Sequence, residues 1–466
     1  MWFARSSPLR RACALIVLML AGCKSQPTMP PLDATTPQQW RNANLARGDG
    51  SVRPPDLAGW WHAFGDAELD ALVTQALADN LTIAQAQARL IAARALASAS
   101  RSDFRPNVHT GTVTAPDPDA TTSYVQGNID AVWDLGLFGR RQSTRWIAQA
   151  GVETAAADLQ AARVTLVAEV ARDYLALRGA QRQIDLSGQA AQTQRIRRAL
   201  MQRRRDLGLT SDSDLARADA DVAQADAMST EPRLRADASA QQLALLCGLT
   251  EPKPELLASA PPPKLVEVPP VTVPADLLRT RPDIKRAEAA VLAAAGELGV
   301  ARADLYPRLS LVGAITSATT TAGGEFGFGR AVTSFGPGID LPLFDWGARR
   351  SRIKAKDAEL SALVYAYRET VLESIAETET ALGAWQTQHT RVLNLRTALT
   401  ARERDAQGTT KSRRLGLADD LDQSSSTIAL TQSQLELLDA EQAQALAYVA
   451  LFKALGGAPP LVDAVH

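Results

Sequence analysis

The chain has 466 residues, and its 50 Lys and Arg nearly balance its 51 Asp and Glu. Because no net field attracts a polyanion, nothing in the charge supports nucleic-acid binding. Hydrophobic residues make up 46% of the chain but aromatic residues only 5%, a balance that favours long, closely packed helices over one bulky core.

The first residues predict an export signal. Arginines precede a short apolar run, residues 12–20, which ends in Leu-Ala-Gly-Cys23. The run is too short to span a bilayer and has the charged start and small-residue end of a secretory signal, so residues 1–22 are predicted to be removed. The tetrapeptide resembles a bacterial lipobox, which makes Cys23 the predicted lipidation site; an ordinary signal with a chance cysteine is the alternative. By resemblance to lipoprotein sorting, the lack of Asp after Cys23 favours the outer membrane.

Proline-rich stretches divide the remainder of the chain. Residues 23–58 are predicted to form a lipid-anchored strap, and residues 250–274 a linker, both running over the surface. They leave two long segments, a first repeat over 59–249 and a second repeat over 275–457, and a C-terminal tail over 458–466. Past Cys23 no run of 18 apolar residues predicts a membrane helix.

The first repeat predicts helices around two strands. A short helix is expected over residues 66–80, and Thr82 is expected to cap a second helix that runs to about Phe104. A long helix over about 139–207 contains no proline and has apolar residues at helical spacing; at 1.5 Å per residue it would extend roughly 100 Å. Its partner helix is predicted over about 212–247, after a glycine turn.

Four segments predict strands: about 107–115, 123–134, 308–317 and 335–344. In the second of them apolar and polar residues alternate over about ten residues, which is the signature of a transmembrane strand, although a soluble sandwich strand has the same pattern. Four strands cannot close into a barrel, and open edges in lipid would leave backbone groups unpaired. If these strands lie in a membrane, the protein must oligomerise.

The second repeat echoes the first in the same order. Ile83-Ala-Gln-Ala-Gln-Ala-Arg-Leu returns as Ile284-Lys-Arg-Ala-Glu-Ala-Ala-Val, and Leu135-Gly-Leu-Phe138-Gly as Leu341-Pro-Leu-Phe344-Asp. Pro282 opens the matching first helix, and a second long helix is predicted over about 347–415, with a partner over about 419–455. A period this long indicates a duplicated structural unit rather than a solenoid repeat.

Several motifs together resemble a TolC-family outer membrane efflux protein of the NodT-type lipoprotein branch. They are the lipobox, the duplication, Arg281-Pro282-Asp283-Ile284, Gly299-Val-Ala-Arg-Ala303 before Tyr306-Pro307, and Leu341-Pro-Leu-Phe344-Asp. The resemblance covers nearly the whole mature chain. It departs at Asp134-Leu-Gly-Leu-Phe138-Gly, which has an extra Gly-Leu relative to the usual Asp-Leu-Phe-Gly, so the register at that joint is open.

The resemblance implies a mainly α-helical fold with a small membrane β part. In a homotrimer, four strands per chain would form a 12-stranded transmembrane β-barrel continuous with a long α-helical barrel across the periplasm. It also implies a periplasmic adaptor (membrane fusion protein), an inner membrane pump and outer membrane lipid as partners. Residue patterns alone require an oligomer but not the number three.

Catalytic chemistry is not expected. His62, His109, His389 and His466 are scattered, and no His-x-x-x-His or Cys-x-x-Cys spacing could hold a metal, so no metal, cofactor or enzymatic activity is predicted. Cys247 is the only cysteine after Cys23 and is predicted to be a buried small residue near a helix end. The glycine-rich residues 323–329 lack the Lys-Ser/Thr of a phosphate loop and are predicted to form a surface loop.

The matching glycine turns are the candidate adaptor-docking tips, because the family uses such turns for tip-to-tip contact. Their residues are Leu207, Gly208, Leu209, Leu415, Gly416 and Leu417. Acids after each turn, such as Asp212 and Asp419, are explained by helix capping. Glu403 and Asp405 lie near a helix C-terminus, where acids are disfavoured; with Arg413 and Arg414 they are the candidate periplasmic gate, three copies of each facing one axis.

The expected function is the outer membrane duct of a tripartite efflux system that exports small molecules such as drugs. The alternatives are a periplasm-spanning lipoprotein scaffold with soluble hairpins, or the duct of a type I protein secretion system. The exported substrate is not readable from the sequence, because a tunnel lined by many polar side chains has no specificity pocket.

Overall fold

The computed structural model describes residues 28–32, 40–42, 56–115, 124–265, 280–320 and 331–460. The predicted signal peptide over residues 1–22, the lipidation site Cys23, the loop 323–329 and the tail from residue 461 onwards lie outside the described residues. The helices are α1 (Ala67–Asp79), α2 (Leu81–Ala99), α3 (Arg140–Asp206), α4 (Asp212–Ala227), α5 (Thr230–Leu246), α6 (Pro254–Leu257), α7 (Pro282–Ala303), α8 (Ala348–Arg414) and α9 (Asp420–Ala454). The strands are β1 (Asn107–Ala115), β2 (Tyr124–Asp134), β3 (Arg308–Thr320) and β4 (Val332–Asp340).

The two long helices have equal length. Helices α3 and α8 each contain 67 residues, which corresponds to about 100 Å at 1.5 Å per residue. Each begins after a glycine, Gly139 or Gly347, and ends before the Leu-Gly-Leu turn of its repeat. The duplication seen in the sequence is therefore preserved in the length of the longest element.

The partner helix of the first repeat is interrupted, and the prediction of one helix over about 212–247 is wrong. Helix α4 ends at Ala227, and α5 begins at Thr230. Pro232 lies in the first turn of α5, and a proline there removes a backbone donor and sterically opposes continuation from the preceding turn. The matching position of the second repeat is Ala440, inside the uninterrupted helix α9.

The start of α2 also differs from the prediction. Asn80, not Thr82, is the N-terminal cap: its Oδ1 accepts hydrogen bonds from the backbone nitrogens of Thr82 at 2.9 Å and Ile83 at 3.1 Å. The same side chain donates from Nδ2 to Leu246 O at 2.9 Å. Helix α2 ends at Ala99, before the expected Phe104, which lies in a short 3-10 helix, Ser102–Phe104.

The strands form one antiparallel sheet in the order β1-β2-β3-β4. Strand β1 has the predicted bounds, and β3 extends three residues past the predicted end at Ser317. Strand β4 lies earlier than predicted and ends at Asp340 rather than Phe344. The central pairing joins the two repeats, since β2 belongs to the first and β3 to the second.

The strand-to-helix joints settle the register left open in the sequence. Phe138 and Trp346 both have positive φ, 55° and 54°, and each precedes a glycine with positive φ. Phe138 therefore corresponds to Trp346, and the sequence match of Phe138 with Phe344 is two residues out of step. Left-handed backbone costs a non-glycine residue roughly 1–2 kcal/mol, so its occurrence at both joints marks the same turn more reliably than the Leu and Phe spacing.

The described chain divides into two compact units. The strand unit contains Ala88–Ala157 and Asp283–Thr370, and therefore the sheet; the hairpin unit contains Thr35–Gln87, Asp158–Pro282 and Val371–His466. Each unit takes segments from both repeats. None of the helices in the described ranges contains an apolar stretch that could span a bilayer.

The hairpin unit contains the main apolar core. Leu435 and Leu438 of α9 pack with Leu186 of α3, and Trp60 stacks on Phe452 with ring centroids 5.6 Å apart. The residues of α9 that step by sevens, threes and fours are mostly buried, from Leu435 to Phe452. The coiled-coil periodicity of the sequence thus corresponds to the packed face of the helix.

Candidate functional sites: the sheet and the hairpin tips

The sheet has one apolar and one polar face, and the register brings the matching residues of all four strands together. Directly paired residues of an antiparallel sheet share a face. One row of the apolar face is Thr110, Ile129, Ile315 and Thr333, and the next is Val108, Ala131, Gly313 and Phe335. Rows of the polar face are His109, Asp130, Ala314 and Ser334, and Gly111, Asn128, Thr316 and Val332.

Large apolar side chains on the first face are exposed. Ile129 is 48% exposed, Ile315 45% and Phe335 79%. Exposed Ile and Phe side chains on one face of the sheet, with Asp and His on the other face, are unfavourable in water. In a membrane strand the same arrangement directs apolar residues toward lipid and polar residues toward a lumen. The faces assigned from sequence alternation agree with this register.

Aromatic residues cluster where the strands end. Trp133 is near the end of β2 and donates from its indole Nε1 to Phe104 O at 3.0 Å. Phe344 and Trp346 follow β4, are 73% and 91% exposed, and pack edge to face with ring centroids 4.6 Å apart. Exposed aromatic rings at one end of such strands are typical of the girdle at a membrane–water interface.

Among the described residues, the sheet has two open edges. Strands β1 and β4 each contain 9 residues and each pairs on one side only. Unpaired backbone groups in lipid cost several kcal/mol each. A single copy of this sheet therefore cannot be the membrane-inserted form.

Both hairpin tips have the same backbone structure. Gly208 and Gly416 have φ of 70° and 74°, which glycine adopts without steric cost. Leu209 N donates to Arg204 O at 2.8 Å, and Leu417 N donates to Ser412 O at 2.9 Å. These bonds, with the accompanying glycine N–H bonds, close a Schellman motif at the end of each long helix.

A capping box follows each turn. Ser211 and Asp214 exchange hydrogen bonds at the start of α4, and Asp419 and Asp422 do so at the start of α9. Hydrogen bonds from Ser211 lower the pKa of Asp214, and the hydrogen bond from the backbone of Asp422 lowers the pKa of Asp419. The capping explanation of the tip acids is correct for these residues.

The tip leucines are exposed without a local partner. Leu207, Leu209, Leu415 and Leu417 are 73%, 71%, 75% and 79% exposed. A Schellman motif is often completed by an apolar contact with the third residue from the helix end, but here that residue is Arg204 or Ser412. Local structure therefore does not account for the leucines, which form a small apolar surface at each tip.

Ion pairs reinforce the tips in a repeated pattern. Arg205 Nε lies 2.8 Å from Asp212 Oδ1 in the first hairpin, and Arg413 Nε lies 2.5 Å from Asp420 Oδ1 in the second. Each pair joins the last turn of the long helix to the first residue of its partner helix. Arg413, predicted as a gate residue, thus has the same local role as Arg205.

The structure does not bring the four predicted gate residues together within one chain. Asp405 and Arg413 are eight residues apart on α8, about 12 Å along the axis. Glu403, Asp405, and Arg414 are exposed, and Asp405 Oδ2 accepts a long hydrogen bond of 3.5 Å from Ser426 Oγ. Any gate built from these residues must therefore form between chains or between hairpins.

Sequence reasoning missed a buried cation in the hairpin unit. Arg178 is 1% exposed; it donates to Glu68 Oε2 at 2.6 Å, to Gln181 Oε1 at 2.8 Å and to Ala258 O at 2.8 Å. Its guanidinium lies 5.3 Å from the ring of Tyr174, whose pKa is raised by burial. This network holds α1 and the segment after α6 against the first long helix; the helical spacing of Arg178 among apolar residues was the available signal.

The strap is also attached more firmly than its polar sequence predicts. Trp40 is 3% exposed, so the strap does not run wholly over the surface. The backbone nitrogens of Arg41 and Asn42 donate to the Glu379 carboxylate at 2.6 and 3.2 Å, and Asn42 Nδ2 donates to Glu379 O at 2.9 Å. A short segment of the strap is therefore hydrogen-bonded to α8.

Two side chains with potentially reactive groups, Cys247 and His389, are packed against other residues of the protein. Cys247 is 1% exposed at the end of α5, and burial raises the pKa of its thiol. Within the described residues no group of three or more His, Cys, Asp or Glu could hold a metal ion. His389 stacks on Trp385 and hydrogen-bonds Gln444 at 2.8 Å.

Known proteins share this architecture along most of the chain. The family model described as outer membrane efflux protein matches residues 72–249 and 273–457. Outer membrane protein OprJ of Pseudomonas aeruginosa is 30% identical over 95% of this chain and 94% of its own length. Nodulation protein T of Rhizobium leguminosarum bv. viciae is 27% identical over 95% of this chain and 91% of its own.

Solved structures of outer membrane channels have the same fold as this chain. The outer-membrane channel OprN superposes with a TM-score of 0.80 at 29% identity, covering 94% of this chain and 100% of that chain. The open state of the Neisseria gonorrhoeae MtrE outer membrane channel has the same fold, with a TM-score of 0.77 at 24% identity over 93% of this chain and 97% of that chain. The family consists of channel proteins rather than enzymes. This chain belongs to the outer membrane efflux protein family.

Proposed function

We propose that this chain is the outer membrane duct of a tripartite efflux system, which carries small molecules such as drugs or toxic compounds from an inner membrane pump to the exterior. Three copies would supply twelve strands for one closed barrel, and their long helices would form the periplasmic tunnel. A periplasmic adaptor (membrane fusion protein) would connect the tunnel to the pump.

The observation that carries the proposal is the two-faced sheet with two open edges. Ile129 and Ile315 align on one face, while Asp130 and Asn128 lie on the other. Exposed isoleucines aligned across strands are unfavourable in a soluble scaffold, whereas in a membrane barrel they face lipid. Cyclic association of identical chains satisfies both edges with one interface.

Membrane extraction separates a barrel from a scaffold held by its lipid alone. Cys23→Ser removes the predicted anchor and leaves the strands unchanged. We expect the variant to stay in the outer membrane fraction after urea and alkaline washing, because the barrel is inserted independently. Release of the variant into the wash, with the wild-type chain retained, would contradict the barrel and favour the scaffold.

Transport itself is tested in cells that lack the native duct. Expression of this chain should restore export of a fluorescent dye and resistance to several small antibiotics. Restoration of protein secretion without dye export would instead favour a type I secretion duct. A chain with Ile129→Arg, which disrupts the lipid face, is the matched negative control.

Lipidation at Cys23 is part of the proposal. Acyl chains contribute about 0.8 kcal/mol per buried methylene, so two or three chains anchor the strap firmly at the membrane. Mass spectrometry of the mature protein should find a modified amino-terminal cysteine at position 23. Cleavage at another residue, or an unmodified cysteine, would contradict it.

The leucine tips are proposed to dock the adaptor. Leu207, Leu209, Leu415 and Leu417 are exposed and lack a local partner, and a matching apolar turn would cover them. A crosslinker attached at Ala418→Cys should capture the adaptor, whereas one at Ala322→Cys, which lies between β3 and β4 in the sequence, should not. Capture from position 322 alone would reverse the orientation of the chain.

The gate is proposed to involve Glu403, Asp405, Arg413 and Arg414. Around a three-fold axis, like charges at one level repel, and nearby arginines or bound cations would offset the repulsion. Because these residues are spread along α8 within one chain, the proposed gate would form through contacts between hairpins or between subunits.

A further inference from the structure

A cleft lies between the end of α2 and the start of α3, within the strand unit. Its volume is about 500 Å³, and its wall combines the polar side chains of Arg101, Gln142, Arg145 and Gln149 with apolar ones such as Val152. The cleft therefore presents cationic and apolar surface side by side.

The two arginines of the cleft carry uncompensated charge. Within the described residues, neither the Arg101 nor the Arg145 guanidinium has a hydrogen bond or an ion pair. Glu153, the first acid along α3, accepts a hydrogen bond from the amide of Gln149 at 2.7 Å rather than from either arginine. Like charges on the two sides of one cleft disfavour each other, and a bound anion would offset their repulsion.

Two landmarks align this cleft with the second repeat. Pro106 and Pro307, each directly before the first strand of its repeat, are 201 positions apart (307 minus 106). Phe138 and Trp346, the left-handed residues before the long helices, are 208 positions apart (346 minus 138). The first offset relates the end of α2 to the end of α7, and the second relates the start of α3 to the start of α8.

The second repeat neutralises the cation that the first repeat leaves unpaired. By these offsets Arg101 corresponds to Arg302, and Gln149 corresponds to Asp357. Arg302 Nη2 lies 3.4 Å from Asp357 Oδ1, which joins α7 to α8. The first repeat thus keeps the arginine but has an amide in place of the acid.

Two further acids of the second repeat are also missing from the first. Glu297 and Glu359 lie 2.7 and 2.8 Å from Lys356 Nζ. By the same offsets, the first repeat has Leu96 and Gly151 at these positions. At the aligned positions the first cleft therefore has no anion of its own.

The cleft lies next to the aromatic residues at the strand ends. Arg101 is three residues before Phe104, whose carbonyl oxygen accepts from the Trp133 indole at 3.0 Å. Arg145 is five residues after Arg140, the first residue of α3, or about 7.5 Å along the helix axis. The headgroup layer on each side of a bilayer is about 5–8 Å thick, and arginine side chains extend toward it. Both guanidiniums are therefore within reach of lipid phosphates.

We propose that this cleft binds an anionic phospholipid of the periplasmic leaflet, with Arg101 and Arg145 on its phosphate oxygens. Guanidinium groups form paired hydrogen bonds with phosphate, and an anionic headgroup brings no ammonium group to repel them. The leaflet follows from the proposed membrane barrel, on which the inference rests, because the long helices would extend into the periplasm.

Native mass spectrometry of the detergent-solubilised trimer tests the site. The wild-type chain, delipidated and then titrated with phosphatidylglycerol, should retain one lipid per subunit. Arg101→Gln combined with Arg145→Gln should weaken this binding roughly thirtyfold, the loss expected for two basic side chains at an anionic lipid. Equal retention by the double variant would overturn the proposal.

Gln149→Asp tests the same site with both arginines in place. It introduces the acid of the second repeat, so Arg101 gains an internal partner and lipid binding should weaken roughly fivefold. Arg302→Gln is the matched control, since it removes the already paired arginine of the second repeat and should leave lipid binding unchanged. An equal loss in Arg302→Gln would assign the effect to general surface charge and contradict the site.

The choice of ligand separates a lipid from a free anion. Phosphatidylcholine, which carries an ammonium group beside the same phosphate, should bind more weakly than phosphatidylglycerol; equal binding would refute the preference for an anionic headgroup. Displacement of the lipid by millimolar inorganic phosphate would assign the cleft to a free anion instead. A trimer that migrates intact on an unheated gel yet retains no lipid would overturn the lipid site but not the efflux channel, whereas absence of any oligomer would count against the proposed function itself.

Discussion

Arg204, in the last turn of the first long helix, lies with Nη2 at 2.7 Å from Oδ2 of Asp419, the capping residue of the second hairpin. The contact joins the two tips of one chain, which are more than two hundred residues apart in sequence. Asp419 therefore has two roles, since it also accepts from the backbone of Asp422 at 2.8 Å. Substitutions can separate the roles.

Arg204→Ala should loosen the tips from each other without unfolding either. It removes the contact between hairpins but leaves both capping boxes, and an exposed ion pair contributes at most about 1 kcal/mol. We expect an unchanged melting temperature, together with higher single-channel conductance and greater sensitivity of cells to large antibiotics. Asp419→Ser, which retains a capping oxygen, should reproduce the effect. A lower melting temperature with unchanged conductance would show that the contact only stabilises the fold.

The second tip should remain capped in moderate acid. Hydrogen bonding lowers the pKa of Asp419 from its ordinary 3.8, so its stabilising contribution is complete above pH 3.8 and is lost as the pH falls through the lower folded value. Hydrogen exchange over residues 412–424, compared between wild type and Asp419→Asn at the same pH, should differ at pH 4 to 7 and converge only below pH 3.8. Convergence already at pH 5 would contradict the lowered pKa.

Arg413→Ala tests whether the second tip holds a gate or only an ion pair. Arg205→Ala is the matched control, because Arg205 and Arg413 make the same local contact in the two hairpins. If the gate lies on the second hairpin, Arg413→Ala combined with Arg414→Ala should raise conductance while Arg205→Ala does not. Equal effects from both hairpins would assign these arginines to tip stability.

Asp405→Ala tests the proposed cation constriction. Three carboxylates around one axis should bind divalent cations, so their removal should weaken block of the channel by such ions in planar bilayers. Arg402→Ala, a neighbouring exposed side chain on the same helix, is the control for a general charge effect. Unchanged block would mean that Asp405 is a solvated charge.

Ile129→Arg should impair assembly far more than Asn128→Arg. The first substitution places a charge on the lipid face, at about 2–4 kcal/mol near the bilayer midplane, whereas the second faces the lumen beside Asp130. The fraction of unheated trimer on a gel measures assembly. Equal loss in the two variants would show that the assigned faces are wrong.

Glu68→Ala should destabilise the chain more than Arg178→Met. Removal of Glu68 leaves a guanidinium that is 1% exposed without its carboxylate, and breaking a buried pair in this way costs up to about 3–5 kcal/mol. After Arg178→Met, Glu68 can hydrate because it is 35% exposed. Melting of the detergent-solubilised protein by circular dichroism gives the order. The reverse order would mean that Gln181 and Ala258 alone compensate the buried charge.

Local sequence signals determined the elements of this protein. Proline, glycine and capping residues fix where helices begin and end, because they act through the backbone within one turn; Leu-Gly-Leu at both tips and Pro282 at the start of α7 are examples. Alternation of apolar and polar residues around Ile129 likewise defined the faces of the strand. Pro232 carries the same kind of signal, and the partner helix of the first repeat is interrupted just before it, between Ala227 and Thr230.

Tertiary structure decided what depends on contacts between distant residues. The correspondence of Phe138 with Trp346 required backbone angles, since Phe344 offers a better match of side chains. The end of β4 at Asp340 follows from the strand it pairs with rather than from its own sequence. The burial of Arg178 beside Glu68 and the contact of Arg204 with Asp419 each join residues more than a hundred positions apart in sequence. Local sequence does not predict such contacts, because a charged side chain has the same local preferences with or without a distant partner.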